Sequence, residues 1–503
     1  MSSIDAAFIY LERREIPLHI AGLCVFDGEI PFANFVRSVG SKLHLLPRYR
    51  QVVVQPPFNL GHPSWEDDQR FDIRRHILRT TVAAPGGREE LEALVSRILS
   101  QVMDRGKPLW DIHVIDGLEG GRGAILARVH HALADGVAGA SLMKIVLDET
   151  AACPRARSPK RFQPAPPPVE NHSLVDALAS ALRRSAENMI GAEAVLLDFS
   201  RTLVEAGARE SVDKLLTILP ELAASSERFV FNKPCTGDRK FCWTDFDFDA
   251  VKAIRAAFGG TVNDVILTVV ARAVSRYVKG HGDPVKGRFL RVVCPVNMRQ
   301  DQGESLGNRI TFFPVALPLD IAGPGELHRA VARRTELMKN ARAAHLVSLL
   351  ATWIGAAPPP LQALFWQALP QLPLPLPLFH MICTNVPGPP APLYAGGRQL
   401  IEFYPHVPTG YELGVNVAFQ SYNGRFFAGL TADAGVVPDV GRLRDLLRQA
   451  FSELSRGAGG PSPRPNPQLP WRGPPPPTRN CEASHNFDLF SPEFSRIWAD
   501  LAR

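Results

Sequence analysis

The sequence lacks the patterns that mark metal-binding, disulfide-linked and nucleic-acid-binding proteins. Its seven cysteines are scattered and never form a C-x-x-C pair, which argues against a structural zinc site and a disulfide framework and suits a reducing compartment. The net charge of +6 comes without a run of five or six basic residues and without an RNA-binding aromatic signature. We therefore expect no metal and no nucleic-acid partner.

Long uncharged apolar segments are also missing. The nearest candidate, residues 346–384, is broken by the prolines at 358–360 and by several later ones, so it predicts no spanning helix. The N-terminus carries charges such as Asp5 and Glu12 where a signal peptide has a basic start and an apolar block. The sequence predicts a cytoplasmic protein, in which residues 346–378 form core, a lid over a substrate tunnel or a membrane contact.

Apolar periodicity and proline content divide the chain into four parts. Residues 1–150 and 236–457 each mix strand-like apolar runs with amphipathic helical patterns, which is typical of α/β domains. Residues 151–235 begin Pro-rich and basic and continue with an Ala/Leu-rich helical pattern, which predicts a linker. Residues 458–503 are too rich in proline to pack, so we expect a disordered tail with a short amphipathic helix at its end.

Two segments make specific local predictions. The segment YELGVNVAFQSYNGRFFAGLTAD predicts a hairpin that turns at Asn423 and Gly424. The segment REELEALVSRILSQVM predicts a helix whose apolar face carries Leu91, Leu94, Val95, Ile98 and Val102.

The segment ILARVHHALADGVAG contains the strongest candidate site. His130 and His131 follow an apolar run that predicts a strand, Asp135 and Gly136 come next, and a helical pattern follows. Neutral imidazole accepts a proton near neutral pH, an aspartate can fix the loop or the ring, and glycine allows a turn where a side chain would clash. Two satisfied core histidines are the plain alternative, and a metal site would need further ligands that the spacing does not supply.

The segment GESLG at residues 303–307 offers a competing interpretation. It matches the G-x-S-x-G nucleophile elbow of α/β-hydrolases, with Ser305 as the nucleophile. That motif needs a strand running into the serine and a helix leaving it, but here a strand-like segment follows the serine. A serine hydrolase is therefore the weaker hypothesis.

Several motifs in a fixed order resemble the wax ester synthase/acyl-CoA:diacylglycerol acyltransferase branch of the coenzyme A-dependent acyltransferase superfamily. HHALADG matches the HHxxxDG signature of that superfamily. The other motifs are KPLWD (107–111), TVNDVIL (261–267), CPVNMR (294–299), LGNRITFFPVALPL (306–319) and TNVPGP (384–389). Together they extend the resemblance over roughly residues 1–455.

The resemblance implies an α/β fold of two chloramphenicol-acetyltransferase-like half-domains, each a mixed sheet with helices, joined by a helical linker. It implies esterification of diacylglycerol or of a long-chain alcohol, with acyl-CoA as co-substrate and no permanently bound cofactor. The mild basic excess fits a polyanionic coenzyme. We also expect peripheral association with the inner membrane face or with lipid inclusions.

The resemblance also implies roles for individual residues. His131 is the expected general base, and His130 is a neighbour that shapes the site. Asp135, next to Gly136, is expected to pair with Arg299 across the two halves, which would hold the histidine loop in shape.

Other motif residues have both a functional and a structural interpretation. Asn263 is a candidate for stabilising the oxyanion, with Asp264 beside it, but both could simply cap the helix that follows. Trp110 of the PLW element is expected to lie in the core.

Two alternatives share the histidine motif. A condensation-type acyltransferase would take its acyl group from a carrier protein, and a lipid-binding paralogue would not be catalytic.

Overall fold

The computed structural model describes residues 1–133, 145–151, 227–297, 310–340, 357–371 and 379–459, together with positions 143, 164, 165, 183 and 355. Two six-stranded sheets dominate these residues, and helices pack beside them. Several sequence predictions concern residues outside these ranges and stay predictions. They are the site residues Asp135, Gly136 and Arg299, the serine Ser305, most of the linker, and the Pro-rich tail.

The strands alternate with helices along the chain. In chain order the strands are β1 (His19–Phe26), β2 (Gln51–Val54), β3 (Ser64–Asp67), β4 (Ile77–Thr81), β5 (Trp110–Leu118), β6 (Arg122–His130), β7 (Arg239–Asp247), β8 (Phe289–Asn297), β9 (Ile310–Pro318), β10 (Met381–Val386), β11 (Tyr394–Ala395), β12 (Arg398–His406), β13 (Val415–Tyr422) and β14 (Arg425–Asp433). The α-helices are α1 (Ser3–Leu11), α2 (Phe32–Lys42), α3 (Arg88–Leu99), α4 (Phe248–Phe258), α5 (Val262–Gly280), α6 (Pro324–Asn340), α7 (Pro359–Ala368) and α8 (Val440–Gly457).

Both large sheets are mixed. The first has the order β11-β12-β1-β6-β5-β4, in which only β4 and β5 run parallel. The second has the order β7-β14-β13-β10-β8-β9, in which β10 is parallel to both of its neighbours. The short strands β2 and β3 pair separately. This is the two-part α/β arrangement that the sequence predicted.

One hairpin-like segment crosses from the second part of the chain into the first sheet. Strands β11 and β12 lie within residues 236–457, which the sequence assigned to the C-terminal half, yet β12 pairs with β1. The register places His406 opposite Ala21. The C-terminal half therefore completes the N-terminal sheet, an exchange that local sequence patterns do not specify.

Helix α3 is shorter than the sequence predicted. It ends at Leu99, and Val102 lies beyond it with 38% of its surface exposed. The reason is Arg128 of β6, whose guanidinium donates to the carbonyls of Ile98 and Gln101 and so satisfies the helix end. The prediction was wrong for Val102 and right for the rest of the apolar face.

The predicted hairpin is present. Strands β13 and β14 are joined at Asn423 and Gly424, whose φ angles of 45° and 73° are both positive. A two-residue turn with two positive φ angles matches the twist of the strands and favours the Asn-Gly pair.

Each sheet carries its own apolar core. Val95 of α3 packs in the core of the first sheet with Ile125 of β6, and Val270 of α5 packs in the core of the second with Val417 of β13. Among the described residues no single helix is long and apolar enough to span a membrane; α4 and α5 meet that test only as a pair bent by 96°.

Candidate active site

The two motif histidines lie where strand β6 ends. His130 is the last residue of β6, and His131 is the first residue of the following turn. The N–H of His130 donates to the carbonyl of Leu109 at 2.9 Å, and the N–H of His131 donates to that of Leu18 at 2.8 Å. The turn is therefore attached to the PLW segment on one side and to the chain before β1 on the other.

His130 is completely buried, and both of its ring nitrogens face protein atoms. Its Nδ1 accepts the N–H of Ala132 at 3.0 Å, which places the ring proton of the neutral form on Nε2. Nε2 lies 3.2 Å from Oε1 of Glu12. This contact has the distance of a hydrogen bond but not its angle, so we treat it as an electrostatic contact.

His131 is held by stacking. Its ring lies parallel to that of Phe8 of α1, with ring centroids 3.9 Å apart and an angle of 17° between the planes. Burial, together with the neighbouring His130, lowers the pKa of His131 to about 4, and its own backbone carbonyl opposes that shift. Nδ1 is enclosed, and no other described residue accepts or donates a hydrogen bond there. The imidazole is therefore neutral at physiological pH.

Glu12, a buried carboxylate, also belongs to this site. Its side chain is fully buried, and Oε1 accepts the N–H of Leu18 at 3.2 Å while Oε2 faces Nη2 of Arg105 at 3.3 Å. Burial raises the pKa of Glu12, but His130, the Leu18 N–H and Arg105 outweigh that effect and hold the pKa below its usual value. Sequence reasoning used this residue only as a charge and missed its place in the site.

Trp110 and Asp111 of the PLW segment support the strand that carries the histidines. Trp110 is 1% exposed, and its Nε1 donates to the carbonyl of Tyr49 at 2.7 Å, as expected for a core residue. Asp111 lies opposite Arg128 in the register and accepts from its Nε at 2.9 Å and its Nη2 at 2.7 Å. This bidentate pair joins β5 to β6 two residues before His130.

The ND element caps a helix in the second half. Thr261, and not Asn263, is the N-cap of α5, and it forms a capping box with Asp264. Oδ2 of Asp264 accepts the N–H of Thr261 at 2.7 Å, and Oδ1 accepts the hydroxyl of Thr335 at 2.6 Å. Asn263 lies against the thiol of Cys294. The contacts of the described residues do not join either ND side chain to the histidines.

A second buried ion pair lies within the second half, and its arginine also contacts a backbone carbonyl of the first half. Nη1 of Arg239 lies 2.7 Å from Oδ2 of Asp433, and Nη2 donates to the carbonyls of Glu15 and Thr409 at 2.9 Å. Arg239 begins β7 and thus fixes the segment just after Glu12. The predicted Asp135–Arg299 pair lies outside the described residues. Among the residues that are described, no cluster of His, Cys, Asp and Glu could hold a metal ion.

The family model for the wax ester synthase/diacylglycerol acyltransferase catalytic domain matches residues 1–266. The match extends over more than half of the chain and includes both motif histidines. The chain belongs to this family. The C-terminal domain of the wax ester synthase/diacylglycerol acyltransferase family matches residues 306–455, so the matches extend over both halves. The resemblance carried by the ordered motifs is confirmed, and the protein is an O-acyltransferase.

Relatives and solved structures agree with this family. The Mycobacterium tuberculosis protein named "Probable diacyglycerol O-acyltransferase tgs1" is 29% identical over 461 residues, which are 90% of this chain and 95% of that protein. The wax ester synthase/diacylglycerol acyltransferase of Marinobacter aquaeolei VT8 has a TM-score of 0.60 and 24% identity, covering 91% of this chain and 98% of that one.

A more distant structure shares the fold. The starter condensation domain of rhizomide synthetase RzmA, solved as a mutant with C8-CoA and Leu-SNAC, has a TM-score of 0.53 and 14% identity. The match covers 92% of this chain and 95% of that one. The expected fold of two chloramphenicol-acetyltransferase-like halves is confirmed.

Proposed function

We propose that this O-acyltransferase transfers a long-chain acyl group from acyl-CoA to diacylglycerol or a long-chain alcohol, with His131 as the general base. The observation that carries the proposal is the setting of His131. Its ring is fixed by Phe8, its Nδ1 is enclosed, and burial keeps it neutral, so Nε2 is the nitrogen left to accept a substrate proton. The names of the family and of the tuberculosis relative support these acceptors.

The proposed reaction is a direct transfer without an acyl-enzyme. Nε2 of His131 removes the hydroxyl proton of the acceptor as its oxygen attacks the thioester carbonyl carbon. The tetrahedral intermediate collapses, the C–S bond breaks, and the imidazolium returns the proton to the thiolate of coenzyme A. The products are an ester and free coenzyme A, so the chemistry needs no resident cofactor and acyl-CoA enters as co-substrate.

The remaining predicted site residues receive supporting roles in this proposal. Asp264, enclosed by Thr261 and Thr335, holds the start of α5, and Asn263 holds the same helix against β8 through Cys294. An oxyanion role for Asn263 finds no supporting contact among the described residues. The pairing of Asp135 and Arg299 stays a prediction from the family resemblance.

An exposed apolar surface supports the choice of apolar substrates. Helix α7 carries no charge, and its Leu361, Leu364 and Phe365 are 57, 64 and 40% exposed. Phe58, which is 77% exposed, lies in a short 3₁₀ turn beside α7. Exposed apolar side chains grouped in this way mark interaction surfaces. We propose that the protein is cytoplasmic and binds through this surface to the inner membrane face or to lipid inclusions.

An assay with two acceptors tests the proposed activity. Purified protein is incubated with radiolabelled palmitoyl-CoA and either hexadecanol or dioleoylglycerol, and a third arm supplies the palmitoyl group on a phosphopantetheine carrier protein. We expect ester from palmitoyl-CoA with at least one acceptor. Product from the carrier-protein arm alone would favour a condensation-type enzyme, and no ester from palmitoyl-CoA would refute the proposal.

Two histidine variants test the base. His131→Ala should lower the rate by about 10²–10⁴-fold, the usual contribution of a general base. His44→Ala is the matched control, because His44 is an exposed histidine on the same half of the protein. An unchanged rate in His131→Ala would rule out the general-base role.

A further inference from the structure

Glu12 contacts the histidine turn in several ways besides its ion pair with Arg105. It directly follows α1, and its own N–H donates to the carbonyl of Phe8 at 3.1 Å. Phe8 is the residue that stacks on His131, and Oε1 of Glu12 faces Nε2 of His130. One short segment of the chain therefore contacts both motif histidines.

Leu18 links Glu12 to the turn a second time. Its N–H donates to Oε1 of Glu12 at 3.2 Å, and its carbonyl accepts the N–H of His131 at 2.8 Å. The same carboxylate oxygen thus reaches His131 through one backbone residue and His130 directly. Movement of the carboxylate would shift both histidines together.

The carboxylate also determines the tautomer of His130. An anionic oxygen beside Nε2 favours the proton on that nitrogen, which leaves Nδ1 free to accept the N–H of Ala132. That hydrogen bond closes the turn 130–132, in which His131 is the middle residue. If the proton moved to Nδ1, two donors would face each other and the turn would open.

Burying a carboxylate lowers the free energy of unfolding unless the charge is paired, so the partners of Glu12 show how its charge is stabilised. Two donors, the Leu18 N–H and Arg105, hydrogen-bond to Glu12, and Nε2 of His130 makes a close electrostatic contact with it. Arg105 is anchored in turn by the carbonyl of Ile9 at 2.7 Å. The carboxylate is therefore ionised and fixed in place without contacting any group that would touch a substrate in the proposed reaction.

We propose that Glu12 is a positioning residue of the transferase site, which acts through His130 to hold His131 in the orientation for proton abstraction. The proposal rests on the proposed role of His131 as the base. It adds a residue that neither the HHxxxDG motif nor its spacing includes. Because Glu12 acts through another side chain, it should affect turnover more than substrate binding.

Kinetics of Glu12 variants test the proposal. Glu12→Gln should lower kcat roughly 10-fold and Glu12→Met roughly 100-fold, with KM for both substrates changed by no more than about 2-fold, since small misplacements of a base cost turnover. Glu15→Gln and Glu15→Met are matched controls, because Glu15 is exposed and lies three residues away. A wild-type kcat in Glu12→Met, or a loss confined to KM, would overturn the proposal.

A double-mutant cycle tests whether Glu12 acts through His130. In a His130→Phe background, Glu12→Gln should lower kcat by less than about 2-fold, because the partner through which it acts is gone. A loss equal to that in the wild-type background would mean that Glu12 acts by another route, such as the Leu18 backbone or Arg105, and would refute the proposal.

The tautomer of His130 can be measured in the unmodified protein. This test depends neither on the folding of the variants nor on enzyme activity. With isotope-labelled histidine, NMR of the ring nitrogens should show the neutral form of His130 as the Nε2–H tautomer. An Nδ1–H tautomer would overturn the positioning role even if the enzyme makes ester. The predicted tautomer in a protein that makes no ester would leave Glu12 in place and count against the proposed function instead.

Discussion

At the residue scale, the pKa of His131 determines how activity should depend on pH. Burial and the neighbouring His130 lower that pKa from 6.5 to about 4, so the ring stays unprotonated throughout the range where a free histidine would titrate. We expect kcat/KM to show no inflection near pH 6.5 between pH 5.5 and 8. Steady-state rates across this range, with the melting temperature recorded at each pH, check the expectation. A half-maximal rate near pH 6.5 in folded enzyme would contradict it.

The same scale shows what the sequence predicts about a site and what it does not. His130 and His131 are adjacent, and their order after an apolar run is visible in the sequence alone. Glu12 and Phe8 reach them only because α1 and the chain before β1 pack against the end of β6. No local spacing connects residues so distant in sequence, so these contacts could be found only in three dimensions.

At the scale of elements, local patterns predicted strands, helices and one turn, because the formation of these elements depends largely on residues that are close in sequence. The Asn423–Gly424 turn and the apolar face of α3 followed this logic. The end of α3 did not, since Arg128 from another strand satisfies its carbonyls. Nor did β12, because nothing in its own residues specifies pairing with β1, more than 370 positions earlier in the chain.

Helix α7 leads to a prediction about lipid binding. Replacing Leu361, Leu364 and Phe365 together by serine should weaken binding to lipid vesicles roughly 100-fold, since each inserted side chain contributes about 1 kcal/mol when half of it leaves water. Co-sedimentation with phosphatidylcholine/phosphatidylglycerol vesicles measures the change. Leu337→Ser on α6 is the control, because that leucine is 40% exposed on a different helix. Equal binding by the triple variant would exclude this surface.

At the scale of the whole molecule, buried histidines connect folding to pH. Burial lowers the pKa of His76 and His380 to about 4 and that of His406 to about 3, and it holds the pKa of His19 well below its usual value. The unfolded chain binds these protons near pH 6.5 and the folded chain does not. The stability that this burial contributes is therefore complete only about one pH unit above 6.5, and it is lost as the pH falls through that value.

The size of this effect makes acid unfolding a test of the fold. His76, His380 and His406 together remove about 5 kcal/mol between pH 7 and 5, which is comparable to the total stability of a typical domain, and His19 acts in the same direction. We expect the urea midpoint to fall steeply from pH 7 to 5. His406→Leu should reduce the dependence of the unfolding free energy on pH by about one proton, because the ring nitrogens of His406 have no hydrogen-bond partner among the described residues. The control His44→Leu replaces an exposed histidine and should leave that dependence unchanged. A constant midpoint from pH 7 to 5 would mean that these imidazoles reach solvent and would contradict their burial in this fold.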